Sequence, residues 1–362
     1  MLNNMRRISD DVSSLLDFVR GVSAQLVVIG HLIAIYELDK DVLDNWKLQN
    51  FGVMVFFILS GFLIFYTAAS KGVKYGIIKF LIDRAARIFT PLLPSLVLIL
   101  LVDCLVLKSQ SGLVHKWSYS GLDFLLSISL LQNHPVFLSL FDSTSLGSGR
   151  PLWTVSVEWV FYVCFAFIFY WNQITSKKIA FLIGIFFMLT PLYYIAGRGD
   201  GLTLYWLLGA MLGFLFIKNI RGSNSKFGAM LIVLFGFLAF IFRAYILNLK
   251  DFYDIGLAAC MAIVFYGMIL MTSLEGSLMN KFFLKLKSMN AFLASFSYSL
   301  YLVHYTLIYL LMSILNDSLM GYSIIFNYVL VNGLSFVFYL AFERHFPKVK
   351  LYFQSYWNKV GS

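Results

Sequence analysis

Ten apolar runs, most of them close to twenty residues long, dominate this chain and limit what it can become. They cover approximately 15–36, 51–70, 88–107, 152–171, 179–196, 202–218, 227–247, 252–272, 291–315 and 322–342. About twenty apolar residues cross the hydrocarbon core of a bilayer as a helix. Lipid offers backbone N–H and C=O groups no partner, so each run must satisfy its own, and a helix does so. The expected fold is all-α, a polytopic membrane helix bundle of about ten transmembrane helices. Residues 15–342 form the membrane-embedded domain, and 1–14 and 343–362 are short cytoplasmic tails. The first run is full-length and no small-residue cleavage pattern follows it, so it reads as a retained helix. Charged residues make up only 13% of the chain, against about 25% in soluble domains.

The net charge of +10 does not point to nucleic acid, because the basic residues gather at the ends of apolar runs. That is how cytoplasmic loops are marked. With the N-terminus inside, the inner segments hold such groups as Lys71, Lys74, Lys79, Arg84 and Arg87, then Lys281, Lys285 and Lys287, then Arg344, Lys348, Lys350 and Lys359. The outer segments hold only Lys40, Lys47, Lys108, Lys116, Arg150, Arg198 and Lys250. Both termini are therefore expected in the cytoplasm. The longest connection, 108–151, falls outside, and its apolar piece at 122–131 is too short to span. The three cysteines, Cys104, Cys164 and Cys260, all lie in apolar segments without short spacing. They read as small core hydrophobes, not as a disulfide framework or metal site. His115, His134 and His345 show no metal-ligand spacing either.

Two polar residues interrupt the first run. Arg20 and His31 are eleven helical steps apart, which amounts to three turns plus roughly 20°. Both should lie on one stripe, separated by about 16 Å along the axis. A cation and an imidazole inside a membrane helix are expensive to place and mark a functional site. The spacing suits a ligand that is anionic at one end and reactive at the other.

Three further groups share that logic. Arg84 and Arg87 stand three apart at the inner end of the third run, and guanidinium forks bind phosphate well. Together with Arg20 they form a candidate phosphate site; the alternative is snorkelling to headgroups. Glu158 lies in the outer part of the fourth run, at a depth matching His31. A carboxylate there would orient an imidazole base and balance its charge; the alternative is a polar pair that fixes packing. Ser297, Tyr301 and His304 form a helical stripe in the ninth run, and Ser60, Trp153, Ser156 and Tyr162 are further candidates to line a polar cavity. Gly52, Ser60 and Gly61 permit close helix approach. Pro91 and Pro94 predict a kink in the third helix.

The same residues resemble a known family. LDFVRGVSAQLVVIGH (16–31), FGVMVFFILSGFL (51–63), RAARIFTPLLPSL (84–96), LLQN followed by PLWTVSVEWVFY (130–133, 151–162) and SFSYSLYLVHYTLI (295–308) occur in the order seen in the acyltransferase-3 family of integral membrane acyltransferases. Trp159 departs from the pattern, because a second acidic residue often follows the glutamate. The resemblance implies acyl transfer, most often of acetyl, from acyl-coenzyme A to a hydroxyl of a cell-envelope carbohydrate or glycolipid in the bacterial inner membrane. Acyl-CoA enters as the donor, and no permanently bound cofactor is expected. Arg20, Arg84 and Arg87 would hold the nucleotide phosphates, His31 would be the base and Glu158 its partner. Some relatives add an extracytoplasmic hydrolase-like domain, so a second transfer step would call on a separate extracytoplasmic transferase. From another class, a proton-coupled exporter of a glycolipid or acylated metabolite also places buried Arg, His and Glu in a bundle. It lacks support here from paired broken helices or repeat symmetry.

Overall fold

A computed structural model describes residues 7–36, 47–107, 117–196, 201–218, 225–246, 248, 251–314 and 320–360. Its helices divide between two compact units, the first built from residues up to Gly72 with Tyr194–Ser297, the second from Val73–Tyr193 with Tyr298 onward. Among the described residues all regular structure is helical.

In the first unit, α1 (Asp10–Ile35) is one unbroken helix that opens on Asp10 and Asp11. Acidic groups there suit the positive end of the helix dipole. The helix packs on α2 (Leu48–Lys71), α11 (Leu278–Lys285) and α12 (Lys287–Ser295). Its start lies inside the stretch read as a tail. Asp11 and Ser14 are buried, Asn280 Nδ2 donates to Asp11 Oδ2 at 2.9 Å, and Ser14 Oγ donates to the Phe283 carbonyl at 2.7 Å. These polar ties bring the first helix down to Asp10. The α2 helix presses on α8 (Leu202–Ile217) by paired glycines. A Cβ on Gly209 would stand 1.9 Å from the Ile58 carbonyl oxygen, and one on Gly61 2.0 Å from that of Trp206. Small residues let backbones approach where lipid supplies no hydrophobic drive between helices. Phe62, Phe216 and Phe265 fill the seam with ring centroids 5.7–5.8 Å apart. The lipid-exposed α9 (Lys226–Ile246) pairs with α10 (Ile255–Thr272), and Arg243 Nη2 donates to Asp254 Oδ2 at 2.8 Å where they meet.

In the second unit, α3 (Ile77–Leu105) runs on through Pro91 and Pro94. The short α4 (Gly121–Ser129) and α5 (Pro135–Phe141) follow in the long connection. Then come α6 (Leu152–Phe169), α7 (Lys177–Tyr193), α13 (Ser297–Ile314), α14 (Met320–Ala341) and α15 (Phe346–Val360). The connection is pinned to the longer helices at two points and tied within itself at a third. Asp103, fully buried in α3, accepts from Ser148 N at 2.8 Å and Ser148 Oγ at 2.6 Å, and Ser148 Oγ also meets Thr306 Oγ1 at 2.7 Å. Asp123 accepts from Ser120 Oγ at 2.6 Å, Thr144 N at 3.0 Å and Ser118 Oγ. Burial pushes its carboxyl up, but these hydrogen bonds outweigh burial and hold it below the usual carboxylate range. His134 caps α5 by accepting from Val136 N, and its Nε2 donates to the Phe186 carbonyl at 2.8 Å. His115 lies outside the described residues.

Three features refine these expectations. Each of the ten runs contains helix; among the described residues eight helices are long and apolar enough to cross a membrane, and α7 and α8 have 17 and 16 residues. Sixteen residues rise about 24 Å, short of a hydrocarbon core of about 30 Å. The ninth run is broken at Phe296, whose φ of −105° and ψ of 3° end α12. Ser295 and Ser297 hydrogen-bond back to the Phe292 and Ala294 carbonyls there, and such bonds compete with the helix ladder. The stretch expected as a C-terminal tail is helical over 346–360: α15 follows a 3₁₀ turn at Glu343–His345, and Lys350 Nζ and Gln354 Nε2 reach Asp83 on α3 at 2.9 and 2.7 Å.

Candidate active site

The first unit carries Arg20, His31 and Ser60. Arg20 and His31 are half-buried on the single unbroken helix α1, where eleven residues rise about 16 Å. Arg20 Nη1 stands 3.9 Å from Asp17 Oδ1, one turn earlier. At this distance and exposure the pair contributes little to stability. Gly30, next to His31, meets the Gln49 backbone, where a Cβ would stand 2.4 Å from its nitrogen. That close contact fixes the outer end of α1 against α2. Ser60 is buried on α2.

The second unit gathers the other candidates around α3, α6 and α13. Glu158 stands less than two turns into α6 and accepts from Tyr162 Oη at 2.5 Å. Tyr298 and Tyr301 lie close enough to Glu158 to feel its charge. Tyr301 Oη meets Thr154 Oγ1 at 2.5 Å, tying α13 to α6. Three candidates are thus brought together here: Glu158, Tyr162 and Tyr301. Trp153 is half-buried and Ser156 buried on the same helix. Ser297 does not join the stripe, because its hydroxyl is used on the Ala294 carbonyl at the helix break. His304 is fully buried, with Nδ1 at 3.0 and 2.9 Å from the Leu300 and Tyr301 carbonyls. Two acceptors at Nδ1 place its hydrogen there, which leaves Nε2 as an acceptor in the neutral ring.

The two arginines of α3 diverge. Arg87 Nη2 stands 3.4 Å from Glu343 Oε1, with its guanidinium 4.9 Å from the Phe346 ring centroid. Glu343 is 1% exposed and accepts from Ser299 N at 2.9 Å and Ser299 Oγ at 2.6 Å. Arg84 lies 5.7 Å from the Phe80 ring centroid, and its buried Nε has no hydrogen-bond partner among the described residues. The prolines add acceptors at the same level. Pro91 and Pro94 lack N–H groups, so the carbonyls of Arg87 and Thr90 lose their helical donors. Glu343, Ser299, Tyr298 and Asp103 escaped sequence reasoning. Asp103 had a signal, a lone acid inside an apolar run. Glu343 had none, because it follows the last run where charge is ordinary.

The family described as an acyltransferase domain matches residues 14–343, nearly all of the helices above. The chain belongs to this acyltransferase family. Its apolar helices make this acyltransferase-family member an integral multi-pass membrane protein. Three proteins named "Putative O-acetyltransferase", from Staphylococcus aureus strains COL, MSSA476 and MRSA252, are each 28% identical to it over 252 residues. The match covers 62% of this chain and 39% of each relative, so the chain spans well under half of their length. No solved structure matches it significantly.

Proposed function

We propose that the protein transfers an acyl group, most simply acetyl, from acyl-CoA to a hydroxyl of a cell-envelope carbohydrate or glycolipid in the bacterial inner membrane. One observation carries the reading: a single unbroken helix holds a cation and an imidazole on one stripe, in a chain of the acyltransferase family. The span of about 16 Å suits a donor whose phosphates sit at Arg20 and whose thioester reaches His31. In the second unit Arg84, with a buried N–H still to satisfy, suits a phosphate better than Arg87 does. Arg87 is already engaged by Glu343, which gives it a structural share.

In the step itself, the acceptor hydroxyl oxygen bonds to the thioester carbonyl carbon and gives its proton to His31. The C–S bond then breaks, and the coenzyme thiolate leaves and takes up that proton. General-base help of this kind is typically worth 10²–10⁴-fold. Glu158, the second expected catalytic group, has its carboxylate oriented by the hydrogen bond from Tyr162. A covalent acyl-imidazole would be the two-step version of the same chemistry. The names of the relatives support oxygen as the acceptor atom. Mass spectrometry of envelope glycans from cells with and without the gene tests the reading. The expected result is the loss of one acyl increment from a defined glycan; an unchanged acylation pattern would overturn it.

A further inference from the structure

Between α6 and α7 the second unit carries an apolar groove of about 450 Å³. Cys164, Ile168 and Trp171 line one side; Ala180, Gly184 and Met188 line the other. The outward flank of α7 is apolar and exposed, with Phe181, Leu182 and Ile185 all at least half accessible. The groove therefore opens on the surface that meets lipid. Gly184 keeps it open, because a Cβ there would meet nothing within 4 Å.

One end of the groove is cationic. Lys177 Nζ stands 5.9 Å from the centroid of Trp171, which lines the groove, and Lys178 follows it. Both open α7, where the helix dipole is already positive. No acidic residue occurs within 159–193 to offset them. Two lysines in that position cost the helix stability unless an anion faces them. An apolar channel with an aromatic ring and two cations at one end matches a single ligand shape: one hydrocarbon chain joined to an acidic headgroup.

We propose that this groove holds one acyl chain of an acidic phospholipid, with its phosphate at Lys177 and Lys178. The test is lipid retention by the full chain, purified from nanodiscs made of equal parts phosphatidylglycerol and phosphatidylethanolamine and examined by native mass spectrometry. The wild type should keep one lipid, with phosphatidylglycerol clearly favoured. K177Q/K178Q should lose that preference, at about fivefold per lysine. G184F should lose the retained lipid of either class while keeping the wild-type helical content by circular dichroism, since the ring enters open space. Equal retention of the two lipids by the wild type would overturn the proposal. So would unchanged retention in both variants, or no retained lipid at all.

Discussion

At the residue scale, the account rests on which polar groups are used up inside the fold and which are left for chemistry. Glu343 and Arg87 belong to the first kind. Glu343 is buried with Ser299 on one oxygen and the Arg87 guanidinium facing the other. Removing one partner of a buried pair leaves an uncompensated charge, at about 3–5 kcal/mol. R87A should therefore lower the melting temperature sharply, and R87A/E343Q should recover much of the loss in a thermal scan. An additive double mutant would show that the pair carries no coupling. Arg84 belongs to the second kind. R84A should leave stability within about 0.5 kcal/mol and weaken acyl-CoA binding about tenfold or more, as the loss of one charge-assisted hydrogen bond implies. Calorimetric titration with acyl-CoA checks this, and an unchanged dissociation constant would remove the phosphate role. Sequence reasoning treated the two arginines as one unit because they are three apart. It had no access to Glu343, whose burial depends on a turn after the last membrane helix.

At the element scale, helix packing in this protein depends on glycine where α2 meets α8. Gly61 and Gly209 each receive a facing carbonyl closer than any side chain permits. G209V should force the two backbones apart, costing at least the 1–3 kcal/mol of an overpacked core. A variant with full detergent stability would contradict this packing. The same scale governs the clasp of α5. Burial lowers the affinity of His134 for a second proton, although its bond to the Phe186 carbonyl works the other way. A histidine held neutral in the fold stabilises it above the unfolded value of about 6.5, and that contribution fades as pH falls through it. Hydrogen-exchange protection in α5, taken relative to the intrinsic rate at each pH, should fall as pH drops from neutral to about 5, and H134N should flatten that dependence. Equal pH response in the two proteins would exclude the clasp. The runs made the helices legible, including the unbroken α1. The break at Phe296 was not, because two serines bonding back to their own helix leave no mark in hydropathy.

At the scale of the whole molecule, charge distribution and apolar length were enough to establish a multi-pass helical protein, and five motifs in order were enough to indicate its family. The two short helices, α7 and α8, are each one residue shorter than their runs, which were already among the shortest. Of the proposed site, Arg20 and His31 rest on helical spacing, and Glu158 rests on its apolar setting. The polar partners that tie α6 to α13, Thr154 to Tyr301, depend on tertiary contact and were not readable. The anchoring of 117–151 through Asp103 and His134 belongs here too, because it holds a long connection in a fixed structure.

The central claim is that α1 positions an acyl donor along its length, with its anionic head at Arg20 and its thioester at His31. Acetyl transfer from labelled acetyl-CoA, measured with purified protein in lipid nanodiscs and an isolated envelope glycan as acceptor, tests it most directly. H31A should transfer at least about a hundredfold more slowly while binding donor as the wild type does, and R20A should bind donor more weakly. Transfer by H31A at the wild-type rate would contradict the account.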